Sequence, residues 1–314
     1  MGLDVGGTKI AAYRVSADGA VLSRAQEPTP GSPEEILETM ATLAREQVTS
    51  DVVAVGVGAA GMVDFAAGVL RYAPNLPWRD LALADRIASA TGLPCLVDND
   101  ANVAAWAEYR FGAGRGSRDM LLVTVGTGIG GGIVTGGRLF RGAHGFAAEI
   151  GHFIVDPRGP LCGCGNRGCW EQVAAGRAID RLGREAGRDH PDALFVELAG
   201  GDPDKVTGPS VTEAAKRGEA LAREILAEVG RRLGEGIAGL VNILDPDVVV
   251  VGGGAIVAGD LLLDPARAAF LDAVEAPEHR PEVPIRAAAL GNEAGAVGAA
   301  VLALEDLPTG DRTG

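Results

Sequence analysis

The stretch LDVGGTKIAAYRV, residues 3–15, places a Gly-Gly-Thr turn between two runs of apolar and β-branched residues. Glycine lets a backbone bend sharply and expose its amides, so this pattern predicts a strand–turn–strand hairpin. The stretch LLVTVGTGIGGGIV, residues 121–134, repeats the pattern. A third glycine turn, in VVVVGGGAIV at residues 248–257, leads into a helix-like segment. The recurring hairpin predicts two halves built on one plan.

Strands and helices alternate along the rest of the chain. The apolar patterns predict strands at 52–57, 95–97, 121–125 and 248–251, and helices at 33–48, 81–91, 101–111, 212–244 (interrupted by glycines), 265–274 and 293–304. The composition of residues 199–209, AGGDPDKVTGP, predicts a surface loop. Alternation of this kind indicates an α/β fold.

The bulk properties exclude several classes of protein. A chain of 314 residues is long enough for two domains. Its net charge of -14 argues against a general nucleic-acid binder, which needs basic residues to neutralise phosphates. Small anions remain possible ligands, because glycine-turn amides bind phosphate without a net positive charge. The chain shows no signal peptide, and the apolar stretch 120–134 is broken by five glycines, so we expect a cytoplasmic protein without a membrane partner.

Three of the four cysteines lie in GHFIVDPRGPLCGCGNRGCWE, residues 151–171. His152, Cys162, Cys164 and Cys169 have the spacing H-x9-C-x-C-x4-C and form a complete tetrahedral Zn²⁺ set. Buried free thiols are the alternative, but the surrounding glycines make a poor apolar core. A redox pair would have the spacing C-x-x-C. Four protein ligands leave no position for a reactive water, so we expect a structural zinc that orders the loop.

Two carboxylates flank the predicted zinc ligands. Glu149 lies three residues before His152, and Glu171 lies two residues after Cys169. An ordered metal loop could hold both side chains against a polyhydroxylated ligand. Solvated surface acids would show the same spacing, so the residues alone leave both interpretations open.

The first two glycine turns have the composition of phosphate-binding turns. DVGGTK at residues 4–9 and GTGIGGG at residues 126–132 each offer backbone amides and a threonine hydroxyl. Neither has the Walker A spacing, and a strand, not a helix, follows the second turn, which argues against a dinucleotide fingerprint. Two such turns suit the phosphates of one nucleotide, and Asp4 could hold Mg²⁺ through water.

A third polar motif, LVDNDANVAAW at residues 96–106, lies between a predicted strand and a predicted helix. Asp100 has the position of a helix N-cap, which is its ordinary structural role. It also has the position of a functional carboxylate at a strand end. The two roles are compatible, and the spacing does not choose between them.

Taken together, these motifs resemble those of the ROK sugar kinases and, more narrowly, of bacterial ATP-dependent glucokinases. The matching segments occur in order along residues 3–304 and are highly specific as a set: DVGGTK, GAAGMVD (58–64), APNLPW (73–78), DNDANV, GTGIGGG, AAEIGH (147–152) and CGCGNRGCWE (162–171). The resemblance implies an actin-like, ribonuclease-H-like fold of two α/β domains with a nucleotide cleft between them. It places a small domain at residues 1–108, completed by a C-terminal helix at about 296–306, and a large domain with the zinc loop at 109–295.

The same resemblance implies an activity, the transfer of the γ-phosphoryl group of Mg·ATP to the 6-hydroxyl of glucose. Asp100 would be the general base. The residues implied to contact the sugar are Asn99, Asp100, Glu149, His152 and Glu171, with His152 also on the zinc. Those implied to contact ATP are Asp4, Gly6, Gly7, Thr8, Lys9, Gly126, Thr127, Gly128, Gly130, Gly131, Gly253 and Gly254.

Rival functions belong to the same family or to the same fold. Family repressors carry a DNA-binding segment ahead of the kinase-like part, for which this chain has no room, and its acidity argues against DNA. N-acetylmannosamine, N-acetylglucosamine and fructose are the rival acceptors, and polyphosphate is a rival donor. A zinc-stabilised sugar sensor and an actin-like filament protein are the non-enzymatic alternatives. The family resemblance further implies a homodimer or a homotetramer.

Overall fold

The computed structural model describes residues 1–73 and 78–306. The predicted motif segment 73–78 therefore lies mostly outside the described residues. The chain forms two compact units: the first comprises Met1–Arg118, Gly132–Ala148 and the chain from Ala288 onward, and the second comprises Asp119–Gly131 and Glu149–Ala287.

These bounds differ from the predicted boundary at residues 108 and 109. The first unit extends to Arg118 and takes back Gly132–Ala148. One physical reason is a long-range hydrogen bond, which Arg141 in the segment Gly132–Ala148 donates to Asp98. The C-terminal helix belongs to the first unit.

The strands are as follows. In chain order they are β1 (Gly2–Val5), β2 (Lys9–Val15), β3 (Val21–Pro28), β4 (Val55–Ala59), β5 (Met62–Asp64), β6 (Val69–Tyr72), β7 (Arg79–Leu81), β8 (Cys95–Asn99), β9 (Met120–Val125), β10 (Ile129–Thr135), β11 (Arg138–Leu139), β12 (Val248–Gly252) and β13 (Ile285–Ala287).

The α-helices are interspersed with these strands. They are α1 (Pro33–Gln47), α2 (Leu83–Thr91), α3 (Asp100–Phe111), α4 (Glu171–Ala174), α5 (Gly176–Asp189), α6 (Leu194–Leu198), α7 (Gly208–Lys216), α8 (Ala220–Leu244), α9 (Asp260–Ala273) and α10 (Ala294–Asp306). Within the described residues, no helix is both long enough and apolar enough to span a membrane.

Two five-stranded sheets follow one plan. The first has the order β3-β2-β1-β4-β8, and the second has the order β11-β10-β9-β12-β13. In the first, β1 pairs with β2 in antiparallel fashion and with β4 in parallel fashion. In the second, β12 is parallel to both β9 and β13. The hairpin that recurs in the sequence therefore begins two equivalent sheets, and the predicted α/β class is confirmed.

The central parallel strands form the core. Every residue of β4 and of β12 is buried, as expected for strands covered on both faces. The edge strand β3 has no buried residue among its eight. In the first unit, α10 packs against α3, β1 and β4 with a surface rich in alanine and glycine, and it is buried over most of its length.

Local signals explain where α1 begins and why the predicted helix 212–244 is divided, whereas the predicted helix 265–274 begins earlier, at Asp260, and has Pro265 inside it. Ser32 and Glu35 form a capping box with Pro33 in the first turn, which starts α1 at the predicted residue. The predicted helix 212–244 is two helices, because Gly218, with φ 102°, separates α7 from α8. The predicted loop 199–209 contains a short 3-10 helix and the start of α7. Helix α5 and the small sheet β5-β6-β7 were not predicted.

Candidate active site

In the first unit, the turn between β1 and β2 presents free backbone amides. The N–H of Gly6 donates to the carbonyl oxygen of Lys9 at 3.1 Å, and the hydroxyl of Thr29 donates to the carbonyl oxygen of Gly6 at 2.7 Å. Gly7 and Thr8 are exposed, and across residues 1–73 and 78–306 no acceptor lies within hydrogen-bond distance of their amides. Amides exposed in such a turn form a concave site suited to phosphate oxygens.

Asp4 lies just before this turn and is half-buried. It is in register with Gly58 on the parallel strand β4. A Cβ atom on Gly58 would lie 2.6 Å from Cγ2 of Val103, so glycine at this position lets α3 approach the sheet. Burial and then the charge of Asp100 raise the pKa of Asp4 to about 6, and Lys9 opposes the shift.

The junction of β8 and α3 carries the predicted catalytic residue. Asn99, in extended conformation, is the N-cap: its Oδ1 accepts from the amides of Ala101 at 2.8 Å and Asn102 at 3.2 Å. Its Nδ2 donates to the carbonyl oxygen of Gly61 at 3.0 Å. Asp100 is already the first helical residue, so the N-cap role considered for Asp100 belongs to its neighbour.

Because of this arrangement, Asn99 and Asp100 can make different contacts with a ligand. Both lone pairs of the Asn99 amide oxygen are occupied, and one N–H of its side chain remains for a ligand. Asp100 is half-buried, and its Oδ1 lies 2.9 Å from the amide nitrogen of Ala101. Burial raises the pKa of Asp100, while the hydrogen bonds to its carboxylate oppose the shift. A raised pKa favours proton uptake, which is what a general base requires.

Asp98 and Arg141 form an ion pair that supports this junction through hydrogen bonds, and neither residue was predicted as a site residue. Asp98 is 1% exposed and accepts from the amide of Asn99 at 2.7 Å, from Nδ2 of Asn102 at 2.9 Å and from Nε of Arg141 at 2.7 Å. The motif DNDAN contains the first three of these residues and could have indicated a network. Arg141 follows 43 residues later, and no local pattern marks it.

In the second unit, the predicted nucleotide residues Gly126, Thr127 and Gly128 form the turn between β9 and β10. The amide of Gly126 donates to the carbonyl oxygen of Gly128 at 2.9 Å, which closes the turn between β9 and β10 and leaves Thr127 exposed. The carbonyl oxygen of Gly126 also accepts from the amide of Gly176, at the start of α5, at 2.8 Å. The turn is therefore held by one hydrogen bond within it and by a second hydrogen bond from the start of α5.

The other predicted glycines of this unit fall into two groups. A Cβ atom on Gly253 would lie 2.6 Å from the carbonyl oxygen of Val125, so Gly253 and its neighbour Gly254 lie beside the end of β9. Gly130 and Gly131 lie within β10 and not in the turn itself. The structure therefore brings the loop at the end of β12 next to the Gly126–Gly128 turn.

The four predicted zinc ligands lie together. Their ligand atoms are all within 4.8 Å of one another. Nδ1 of His152 is 3.6 Å from Sγ of Cys162, and the sulfur atoms of Cys164 and Cys169 are 3.5 Å apart. Tetrahedral ligands with Zn–S bonds of about 2.3 Å are separated by about 3.8 Å. Three thiolates and one imidazole at these separations fit a zinc ion.

Glu171 is not the solvated surface acid that its spacing allowed. It is 8% exposed, and its Oε1 lies 3.1 Å from the sulfur of Cys162 and accepts from Nε2 of Gln172 at 3.0 Å. A Cβ atom on Gly128 would lie 2.3 Å from Oε2 of Glu171, so the zinc loop contacts the glycine turn within the second unit. Glu149 is exposed, and its carbonyl oxygen accepts from the amide of His152 at 3.1 Å.

Trp170, between the last cysteine and Glu171, fastens the zinc loop to α8. Its side chain is fully buried, and its Nε1 donates to the carbonyl oxygen of Arg232 at 2.9 Å. The ring of Phe153 lies 5.3 Å from the Trp170 ring. A Cβ atom on Gly236 would lie 2.1 Å from the indole, so this glycine creates the space for it. The loop thus has an apolar anchor in addition to the four metal ligands.

Comparison with known proteins tests the family interpretation. The family model described as "ROK family" matches residues 1–306. The chain belongs to the ROK family. A glucokinase from Streptomyces coelicolor is 44% identical over 98% of this chain and 98% of its own length. A glucokinase from Thermotoga maritima is 37% identical over 97% of each chain.

A solved ROK structure is similarly close. The ROK family glucokinase from Streptomyces griseus, in complex with glucose and AMPPNP, is 44% identical, with a TM-score of 0.88 over 96% of this chain and 98% of that one. The predicted ROK membership and actin-like two-domain fold are confirmed. The two relatives above, which match nearly the whole chain at 44% and 37% identity, are glucokinases, the class of enzyme that the sequence predicted.

Proposed function

We propose that this ROK-family chain is a kinase that transfers the γ-phosphoryl group of ATP to the 6-hydroxyl of glucose. The observation that carries the proposal is the whole-length similarity, at 44% identity, to a structure that holds glucose and AMPPNP together. The half-buried carboxyl of Asp100, at the first turn of α3, supports it with a group suited to the chemistry.

Asp100 is the proposed general base. As the sugar oxygen attacks the γ-phosphorus, an O–P bond forms, the bond to the ADP oxygen breaks, and the hydroxyl proton passes to the Asp100 carboxylate. A positioned base of this kind contributes about 10²–10⁴-fold to a rate. Phosphoryl transfer otherwise depends on positioning and on the stabilisation of charge.

The donor is proposed to bind through the glycine turns. The free amides of Gly7 and Thr8 support phosphate binding in the first unit, and the Gly126–Gly128 turn with Gly253 and Gly254 supports it in the second. Gly6, Lys9, Gly130 and Gly131 complete the proposed set. A magnesium ion that accompanies ATP would neutralise phosphate charge. The Asp4 carboxylate fits this ion, because no described residue donates a hydrogen bond to it.

The sugar is proposed to bind Asn99 and Asp100 in the first unit and Glu149, His152 and Glu171 in the second. The free N–H of Asn99 and the buried, oriented carboxylate of Glu171 support these roles. We propose that the Cys₃His cluster holds a structural zinc, since its four donors leave no position for a reacting water. His152 would use one ring nitrogen for the metal and the other for a sugar hydroxyl. A cytoplasmic homodimer or homotetramer completes the proposal.

A coupled assay of ADP formation from Mg·ATP across a panel of sugars tests the function. Glucose should give turnover well above N-acetylmannosamine, N-acetylglucosamine and fructose, and polyphosphate should not replace ATP. Absence of turnover with every sugar, together with calorimetric binding of glucose, would instead identify a sugar sensor.

The role of Asp100 is tested by one substitution with a matched control. Asp100→Asn should bind glucose while kcat falls at least ~10²-fold, because the base is lost. Asp85 also lies in the first turn of a helix of the first unit, but it is exposed, so Asp85→Asn should leave kcat unchanged. Near-normal turnover in Asp100→Asn would remove Asp100 from the mechanism.

A further inference from the structure

Within the described residues, the side chain of Arg141 makes two hydrogen bonds and one cation–π contact, all in the first unit. Its Nε donates to Oδ2 of Asp98 at 2.7 Å, and its Nη2 donates to Oδ2 of Asp306, at the end of α10, at 3.1 Å. The face of its guanidinium lies over the ring of Phe65, 3.6 Å from the centroid. A planar guanidinium can make all three contacts at once, and an ammonium group cannot.

Asp98 requires this partner. Its side chain is 1% exposed, and a buried carboxylate is stable only when it is paired and hydrogen-bonded. Within the described residues, Arg141 is the one cationic side chain in an ion pair with Asp98. The other two contacts of Asp98 are neutral donors, the amide of Asn99 and the side chain of Asn102.

These two donors belong to the turn at the start of α3. The bond from Asn102 to Asp98 fixes which way the Asn102 amide points, since the opposite orientation would set oxygen against carboxylate. The bond from the Asn99 amide fixes the residue immediately before Asp100. The carboxylate of Asp98 therefore connects Arg141 to Asn99, the residue that directly precedes the proposed base Asp100.

We infer that Arg141 is a positioning residue: through Asp98, it holds the turn that carries Asp100. This inference rests on the proposed kinase function. A shift of about 1 Å in a catalytic group can lower a rate by about 10²-fold, so the loss of Arg141 should reduce sugar phosphorylation although Arg141 touches no reacting atom.

The chain offers a matched control on the same helix. Arg110 lies in the last turn of α3 and pairs with Glu305 of α10, so it also joins α3 to α10 through an ion pair. It lies at the opposite end of α3 from Asp100. Loss of Arg110 should affect stability and leave catalysis intact.

The experiment compares steady-state kinetics of the full-length wild type, Arg141→Met, Arg110→Met and the double variant Arg141→Met/Asp98→Asn, each with zinc content and Tm recorded. Arg141→Met should lower kcat/KM for glucose at least ~10-fold and leave KM for ATP within about twofold of wild type. Arg110→Met should retain wild-type kcat/KM. The double variant should recover at least about threefold over Arg141→Met, because the neutral side chain that replaces Asp98 needs no counter-charge and still accepts from the amide of Asn99.

Each outcome decides the matter. An inactive wild type would refute the proposed function itself, before any variant is compared. With an active wild type, equal kcat/KM in Arg141→Met and Arg110→Met would overturn the inference, and so would a double variant no better than the single one. If Arg141→Met does not fold, Arg141→Lys replaces it. The lysine keeps the charge and loses the triple contact, so kcat/KM should fall about threefold or more, and a wild-type value would overturn the inference.

Discussion

Asp4→Asn should stabilise the ligand-free protein at neutral pH while it reduces phosphoryl transfer. The carboxylate of Asp4 is half-buried, and across the described residues no hydrogen-bond donor reaches it. At pH 7, folding must therefore bury a charge that, among the described residues, only Lys9 stabilises and that the nearby Asp100 destabilises. Asparagine has nearly the same shape and carries no charge.

The size of the effect follows from the pKa. Burial and Asp100 raise the pKa of Asp4 from 3.8 to about 6, and each unit corresponds to about 1.4 kcal/mol, so the charged form destabilises the fold by at most about 3 kcal/mol. Residual exposure lowers this limit, and an unpaired asparagine amide costs about 1 kcal/mol. A net gain of about 1–2 kcal/mol remains, or roughly 1.5–3 °C in Tm for a chain of 314 residues.

The sign of the pH dependence is fixed by the direction of the pKa shift. Between pH 3.8 and about 6, folded Asp4 keeps a proton that the unfolded chain has lost. The wild type therefore loses stability as the pH rises through this window, whereas asparagine does not titrate. The advantage of Asp4→Asn should be absent near pH 4, grow up to about pH 6 and stay constant above it.

Urea unfolding of ligand-free protein, followed by tryptophan fluorescence at pH 4, 5, 6 and 7.5, measures this difference. Asp18→Asn is the control: Asp18 is exposed, and its hydrogen bond from Ser16 lowers its pKa, so any effect of that substitution has the opposite sign. An Asp4→Asn protein that is no more stable than wild type at pH 7.5, or whose advantage is the same at pH 4, would refute the reasoning.

Three further predictions concern the zinc loop and the backbone. Gly236→Ala should destabilise the protein by about 1–3 kcal/mol and raise KM for glucose, because the new Cβ would overlap the Trp170 indole. Gly239 lies on the same helix with open space around it, so Gly239→Ala should stabilise the protein by about 0.5–1 kcal/mol. Urea unfolding and kinetics would contradict this prediction if the two variants behaved alike. Ala148 has φ 69°, a left-handed conformation that strains alanine by about 1–2 kcal/mol, so Ala148→Gly should raise Tm, and a lower Tm would contradict the strain. Cys164→Ala should lose zinc and glucose affinity together, measured by metal analysis and calorimetry, and metal-free protein with normal sugar binding would show that the zinc has no part in the site.

The parts of this protein that were predictable from sequence depend on residues that are close along the chain. Each glycine hairpin occupies fewer than twenty residues, and its turn chemistry and β-branched runs act locally. The Cys₃His set lies in one short loop, so ligand type and spacing were enough to predict that the four donors lie together. The start of α1 at Pro33 follows from a capping box written in consecutive residues.

Only the tertiary structure decided what lies behind those motifs. Arg141 reaches Asp98 across 43 residues, and Trp170 reaches the backbone of Arg232 across 62, because sheet register and helix packing bring together segments whose spacing carries no signal. The cap belongs to Asn99 and not to Asp100, since the backbone turns helical one residue earlier than the motif suggests. Glu171 is buried and Glu149 is exposed although the sequence marks them alike, because burial depends on neighbours such as Gly128 that the fold supplies.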